Sequence, residues 1–448
     1  MTAGGMMTIS DQCSSYRTPE RAQPDDQTGP AVISVAMARR LVLAGIVPLA
    51  PRRVAIGDAS GQVLAETVRA GEAIPRFANS AMDGYAVRAA DVADAPVCLR
   101  VTGTVVAGDG PTAALARGEA IRIMTGAPLP PGADAVYMIE RVQVQDGGSA
   151  VLIEAAVSPG TNVRYPGEDI AAGTEVFSPG TQLRPAHIGV LASLGIQSLL
   201  ACPRPTVGVL STGDELAGPG DALLPGKIRD ANRPALLAQL GADGFRGVDL
   251  GTGADDQDVL SDLLRGAASR CDAIVASGGV SVGDHDVLKA ALEKLGGTTM
   301  RSLRVAVKPG QHVAFALLGG QSVPAFGLPG NPVAALVTYE LYVRPALRAM
   351  AGCQVLDRPR ITAIAETDLP RRPGPKLHLV RVTARTGPGG ELRVRLSGGQ
   401  DSHMLRAMAQ ANALALLPDG DGVRAGGRVA VLLLDTEGLG PDDAITPS

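Results

Sequence analysis

Hydrophobic and polar positions change rhythm along this chain, and the changes mark out its parts. From Thr206 onward, short apolar runs alternate with longer stretches whose apolar residues recur at helical spacing. Strands are expected over 207–210, 247–250, 272–276 and 324–328, and helices over 232–240, 259–268, 287–292 and 332–350. Such alternation predicts a mostly parallel sheet with helices on both faces. Ahead of it, Ser34 is placed to cap a helix through about residue 47. Strand-like runs at 97–106, 120–124 and 133–139, separated by Gly/Pro-rich turns, then predict a small β-rich domain. Beyond Gly352 the period returns to two. Runs at 360–365, 377–384, 392–396, 413–417 and 429–434 suit a small β-barrel.

The candidate chemistry collects where the predicted strands of the middle region end. Ligands of open α/β sheets bind outside the carboxyl ends of the strands. Three Gly-rich polar turns lie there: Ser211-Thr212-Gly213-Asp214-Glu215, Ser277-Gly278-Gly279-Val280-Ser281-Val282-Gly283-Asp284, and Leu328-Pro329-Gly330-Asn331-Pro332. The second sits between a strand and a helix, the arrangement that offers backbone N–H groups to an anion. Its hydroxyls and the carboxylates of Asp284 and Asp286 suit a ligand carrying both phosphate and a metal ion. Lys308-Pro309-Gly310-Gln311 adds a cation at a turn. Asp255 and Asp256 open a helix, where a carboxylate also serves the helix dipole.

Composition narrows the partners. The 448 residues carry a net charge of −4, no Trp and only 2% aromatics, so neither a basic nor a base-stacking surface for nucleic acid is expected. No apolar run is long enough to span a bilayer, so no membrane association is expected. Five scattered cysteines form no metal-ligand spacing and fit a reducing, cytoplasmic compartment. The polar N-terminus lacks the apolar segment of a signal peptide and reads as a disordered tail over residues 1–33.

Read together, the segments NSAMDGYAV, RIMTGAPLPPGADAV, PGEDI, LASLGI, STGDEL, DANRP, SGGVSVGD, VKPG, GLPGNPV and ANALALLP, in that order from residue 79 to 418, resemble the molybdopterin molybdenumtransferase family (MoeA-type, related to a domain of gephyrin). The resemblance implies a multidomain α/β plus β fold. A central three-layer α/β/α domain with a mostly parallel sheet would span 206–351. A small inserted β-rich domain would span 76–171, an N-terminal extended α+β linker domain 34–75 with 172–205, and a C-terminal β-barrel 352–448. It implies a cytoplasmic, Mg²⁺-assisted enzyme that takes adenylylated molybdopterin and molybdate and gives molybdenum cofactor and AMP. The enzyme would work as a homodimer with its site between subunits, alongside molybdopterin adenylyltransferase and molybdoenzyme maturation proteins. Carried over motif by motif, Asp83, Thr125, Asp169, Glu215, Asp255, Asp286 and Lys308 would be catalytic, with Glu215 and Asp286 holding the metal. Ser211, Thr212, Gly213, Ser277, Gly278, Gly279, Ser281, Gly283, Pro329, Gly330, Asn331 and Ser402 would bind the pterin nucleotide and oxyanion.

The chain departs from the family pattern chiefly around the oxyanion. The family's KPGKP reads Lys308-Pro309-Gly310-Gln311-His312, so its second lysine is missing. Arg304 stands where several relatives have lysine, and Ala334 where the pattern has a serine. The segment 371–376 shows no clear match for a usual arginine. The alternative to an insertase is therefore a molybdopterin- or cofactor-binding paralogue, or a scaffold, without metal insertion. A lone adenylyltransferase domain would share the Gly-rich loop but not the flanking β domains.

Overall fold

The computed structural model describes residues 31–110, 113–218, 220–280, 286–436 and 439. Its centre is a seven-stranded sheet. In spatial order the strands are Val32–Ile33, Arg301–Val305, His312–Leu318, Val323–Leu328, Ala273–Ser277, Thr206–Thr212 and Arg246–Gly253. The last four are mutually parallel, whereas His312–Leu318 runs antiparallel to both its neighbours. Successive strand residues point to opposite faces, and both faces are buried. Ala273 and Val275 join the core under helices Val35–Leu43, Asn232–Ala242 and the C-terminal helix. Ile274 and Ala276 join the core under Gln257–Ala268 and Val287–Gly296. Three layers follow from that division.

Two expectations change at the N-terminus. The tail was expected to run to residue 33, but Val32–Ile33 pairs in parallel with Arg304 and Val305 at the sheet edge. The helix capped by Ser34 ends at Leu43 rather than about residue 47. It belongs to the central domain rather than the linker domain, because Ala38 and Val42, one turn apart, are fully buried against the sheet. The antiparallel strands Arg301–Val305 and His312–Leu318 were not foreseen, since they form a hairpin without a helix between them.

The helix expected over 332–350 is present, with a π-helical turn, Tyr339–Val343, between Pro332–Thr338 and Arg344–Met350. Pro345 lacks an N–H for the helical ladder, and the widened turn comes just before it. Around this turn Asp243 accepts from the Tyr339 hydroxyl (2.9 Å), Arg344 and Arg358, which pairs the buried carboxylate with both guanidinium groups.

Strands Arg360–Ala365, Leu377–Thr386, Leu392–Leu396, Ala413–Leu417 and Arg428–Leu433 close into a five-stranded barrel through the pairing of Leu377–Thr386 with Ala413–Leu417. Val307–Lys308 extends it by pairing in parallel with Leu377 and His378, which joins the barrel to the central domain. The small β-rich region is a six-stranded sheet built from Gly84–Val87, Val97–Val105, Glu119–Ile123, Ala135–Met138, Val142–Gln145 and Ala150–Ile153. The segments flanking it meet in a three-stranded sheet of Arg52–Ala55, Ser198–Cys202 and Val63–Leu64. No helix among the described residues is long and apolar enough to cross a membrane.

Candidate active site

Because Thr206–Thr212, Ala273–Ser277 and Val323–Leu328 are adjacent and parallel, their carboxyl ends bring the three Gly-rich turns together. Gly278 can make its turn only as glycine. Its φ is +110°, and a Cβ there would lie 2.3 Å from the Thr212 carbonyl oxygen. The segment Asp230-Ala231-Asn232-Arg233 clamps the three turns. Asp230, buried, accepts from the Ser211 hydroxyl (3.0 Å) and from the backbone N–H groups of Asn232 (3.1 Å) and Arg233 (3.2 Å). Its second oxygen takes the Arg233 Nε–H at 3.0 Å. Asn232 Nδ2 donates to Ser277 Oγ and to the Gly330 carbonyl, both at 2.7 Å. The result is a cleft of about 360 Å³ lined by Ser211, Thr212, Gly213, Glu215, Asp255, Ser277, Gly278, Gly279 and Gly330.

The carboxylates around this cleft have different duties. Asp256 caps the helix Gln257–Ala268, accepting from the N–H groups of Asp258 and Val259 at 2.9 Å. That leaves Asp255 to face the cleft, where it and Asp214 accept from each other's backbone N–H at 3.3 and 3.2 Å. Glu215 folds back over Gly213, and its carboxylate has no hydrogen-bond or ion-pair partner among the described residues. Asp286 Oδ1 accepts from Lys289 N at 3.0 Å, so this residue caps Val287–Gly296 at the rim of the cleft, beside Gly279. Among the described residues no group of three His, Cys, Asp or Glu is assembled for a metal. Glu215 lines the cleft and is a hard oxygen donor of the kind Mg²⁺ takes beside phosphate and water, whereas Asp286 Oδ1 is engaged in its helix cap. Ser281, Gly283 and Asp284 lie outside the described residues.

The turn Pro329-Gly330-Asn331 also walls a second cleft, of about 480 Å³. Lys308, Gln311, His312, Pro329, Asn331, Ala334, Lys376 and Ser402 line it. Lys376, arriving from the barrel, donates its ammonium to Gln311 Oε1 at 2.6 Å. Arg371 fixes the approach of that segment. Its guanidinium is buried and donates to the carbonyls of Leu417 (2.9 Å) and Gly374 (2.6 Å). The Ser402 carbonyl accepts from Val333 N at 3.1 Å, which docks the barrel loop on the start of the C-terminal helix. Lys308 has no ion-pair partner among the described residues. The cationic character of this region shows in its histidines. Burial, then Arg304 and Lys376, holds His312 below the ordinary imidazole pKa. Burial, then Arg371, Lys308 and Lys376, does the same to His378.

Asp83, Thr125 and Asp169 line neither cleft of the chain. Asp83 and Thr125 are nonetheless one unit. The Thr125 backbone N–H and hydroxyl both donate to Asp83 Oδ1 at 2.7 Å, and these bonds hold the carboxyl below its ordinary pKa. Asp169 sits apart in the turn where its N–H donates to the Ile74 carbonyl at 3.0 Å. The residues that sequence reasoning passed over are Lys376, His312 and the clamp Asp230, Asn232 and Arg233. The clamp was visible only as the motif DANRP, without a role. Lys376 and His312 had no local signal, because their neighbourhood is made by the barrel closing against Val307–Lys308.

Comparison with known proteins agrees with this architecture. Residues 33–195 match the family model described as "MoeA N-terminal region (domain I and II)". Residues 208–349 match the "Probable molybdopterin binding domain", and residues 362–434 the "MoeA C-terminal region (domain IV)". The molybdopterin molybdenumtransferase of Haemophilus influenzae is 37% identical over 84% of this chain and 91% of its own length. Molybdopterin molybdenumtransferase 2 of Mycobacterium tuberculosis is 38% identical over 86% of this chain and 95% of its own. The crystal structure of the molybdopterin biosynthesis moeA protein of Pyrococcus horikoshii superposes with a TM-score of 0.74 at 28% identity, covering 90% of this chain and all of that one.

Proposed function

The chain belongs to the MoeA-type molybdopterin molybdenumtransferase family, enzymes of molybdenum cofactor biosynthesis, and on that premise we propose that it inserts molybdate into adenylylated molybdopterin and releases AMP. The observation that carries the proposal is the pairing of two unlike clefts across one turn. A cleft of glycine backbone, hydroxyls and carboxylates, with Arg229 at its wall, adjoins a cleft where Lys308 and Lys376 outnumber Asp401, with Pro329-Gly330-Asn331 between them.

Each cleft suits one half of the chemistry. In the first, Gly278 and Gly279 allow phosphate oxygens to approach the backbone, and the Ser211, Thr212 and Ser277 positions add polar groups. Glu215 would hold Mg²⁺, which neutralises charge on the anhydride phosphates when bound. Attack by a water oxygen on phosphorus breaks the anhydride bond; the water's proton passes to solvent or to a cleft carboxylate, and AMP leaves from the pterin phosphate. In the second, Lys308 and Lys376 stabilise a small dianion, with the Ser402 hydroxyl as a neutral donor. The two dithiolene sulfurs take the places of two oxo groups, which depart as water after protonation. The absence of lysine at position 311 is offset by Lys376, whose ammonium reaches the same wall. Asp83, Thr125 and Asp169 would meet the first cleft from a second copy of the chain.

The test is AMP release from adenylylated molybdopterin by the purified protein. Release is expected to require both Mg²⁺ and molybdate, and to fall at least tenfold, by roughly 1.4 kcal/mol, in Lys308→Met. Tight binding of the nucleotide without turnover, at saturating metal and oxyanion, would refute the insertase reading and leave a cofactor-binding protein.

A further inference from the structure

We infer that oxyanion binding in the second cleft is coupled to protonation of His312, an inference that rests on the reading of that cleft as the oxyanion site. His312 begins the antiparallel strand His312–Leu318 and lines the cleft with Lys308, Lys376 and Gln311. Directly across the strand pair, on the same face, is Arg304. Arg304 Nε is buried and has no hydrogen-bond partner among the described residues. Positive groups therefore face the imidazole from two elements, Arg304 from the neighbouring strand and Lys376 from the barrel, while Lys308 lines the same cleft from the strand Val307–Lys308. His378 lies beyond Lys308, as its partner across the pairing of Val307–Lys308 with the barrel. Among the described residues Asp401 is the one carboxylate in the cleft wall, and His403 stands on the same barrel loop.

Such surroundings favour the neutral imidazole while the cleft holds no anion. Two effects act in that direction, burial and the neighbouring cations. A dianion placed among Lys308, Lys376 and His312 reverses the local field, and the imidazole then gains a proton to become a third cation. Binding and proton uptake are thereby linked. Affinity rises as pH falls through the pKa of the occupied state, and levels off below the pKa of the empty state. The linkage also has a chemical use. Exchange of oxo groups for dithiolene sulfurs consumes protons, and an imidazolium in the cleft wall is a local source of one.

The experiment is calorimetric titration of the full chain with molybdate, and separately with sulfate, in two buffers of different ionisation heat. Wild type is expected to take up a fraction of a proton per anion bound, and to lose roughly tenfold in affinity between about pH 6 and about pH 8. In His312→Gln both the uptake and the pH dependence disappear, whereas His187→Gln, at a histidine that lines neither cleft, keeps them. Binding without proton uptake in wild type overturns the coupling and leaves the oxyanion site standing. Uptake that persists in His312→Gln also overturns the assignment. No binding of either anion at any pH overturns the coupling and the oxyanion site together. The wild-type measurement decides the matter even if a variant folds poorly.

Discussion

Replacing Gln311 with lysine recreates the family's KPGKP spacing at that position, and the structure predicts that it destabilises the empty protein. The Lys376 ammonium lies 2.6 Å from Gln311 Oε1. Gln311→Lys removes that acceptor, a hydrogen bond to a charged group worth about 1.5–3 kcal/mol. It also sets two ammonium groups on one wall of the cleft. At about 4 Å and an effective dielectric near 20 their repulsion would be about 4 kcal/mol. Both residues are half-buried and lysine is flexible, so separation and solvent screening remove much of this term. A net loss of about 1–3 kcal/mol is expected. The sign reverses when an oxyanion is present, because a dianion between the two ammonium groups converts repulsion into attraction. The assay is thermal unfolding of wild type and variant, each with and without millimolar molybdate. The variant should melt several degrees lower without the anion, at about 2–4 °C per kcal/mol for a unit of this size. It should also gain more than wild type when molybdate is added. Equal melting temperatures without anion, and equal gains with it, would refute the Lys376–Gln311 contact as the organising feature of this cleft.

Other variants probe the remaining parts of the site. Asp230→Ala should lose about 2–4 kcal/mol in urea denaturation, because Arg233 and Ser211 lose a buried partner while Asp249 still pairs with Arg233; a loss under about 0.5 kcal/mol would refute the clamp. Gly278→Ala should cost roughly 2 kcal/mol or more, since φ +110° and a Cβ 2.3 Å from the Thr212 oxygen both oppose it, and should weaken nucleotide binding further; wild-type melting and binding would count against the close packing of the turns. The Asp83 carboxyl is held below its ordinary pKa first by the Thr125 N–H and then by the Thr125 hydroxyl. Its folded pKa lies below its unfolded one, so the contribution is present above about pH 4 and fades as pH falls through the folded pKa. Thr125→Val should raise the Asp83 pKa part of the way towards its ordinary value by NMR titration, and an unchanged pKa would show that the hydroxyl bond is not formed in solution.

The sequence made the first cleft legible and the second only in part, and the difference is physical. Turns at the ends of parallel strands announce themselves locally. Apolar runs such as 272–276 mark the strand, glycines such as Gly278 mark backbone that a side chain would block, and parallel pairing forces their carboxyl ends together. The roles of Asp255 and Asp256 could be divided in principle by the same local rules, since only one residue can cap a helix, and the structure gives that duty to Asp256. The second cleft has no such local grammar. Lys308 and Lys376 are brought together by the two-residue pairing of Val307–Lys308 with the barrel strand, and that register depends on barrel closure far along the chain. A sequence comparison at position 311 alone therefore reads a lost cation. The assembled cleft keeps its charge, because Lys376 reaches the wall from another domain and His312 adds a group whose charge follows pH. Charge in such a cleft is a property of the assembled wall rather than of any one motif position. A substitution there is judged by what stands opposite it: at position 311 a lysine would face Lys376 and repel it, where glutamine accepts its hydrogen bond.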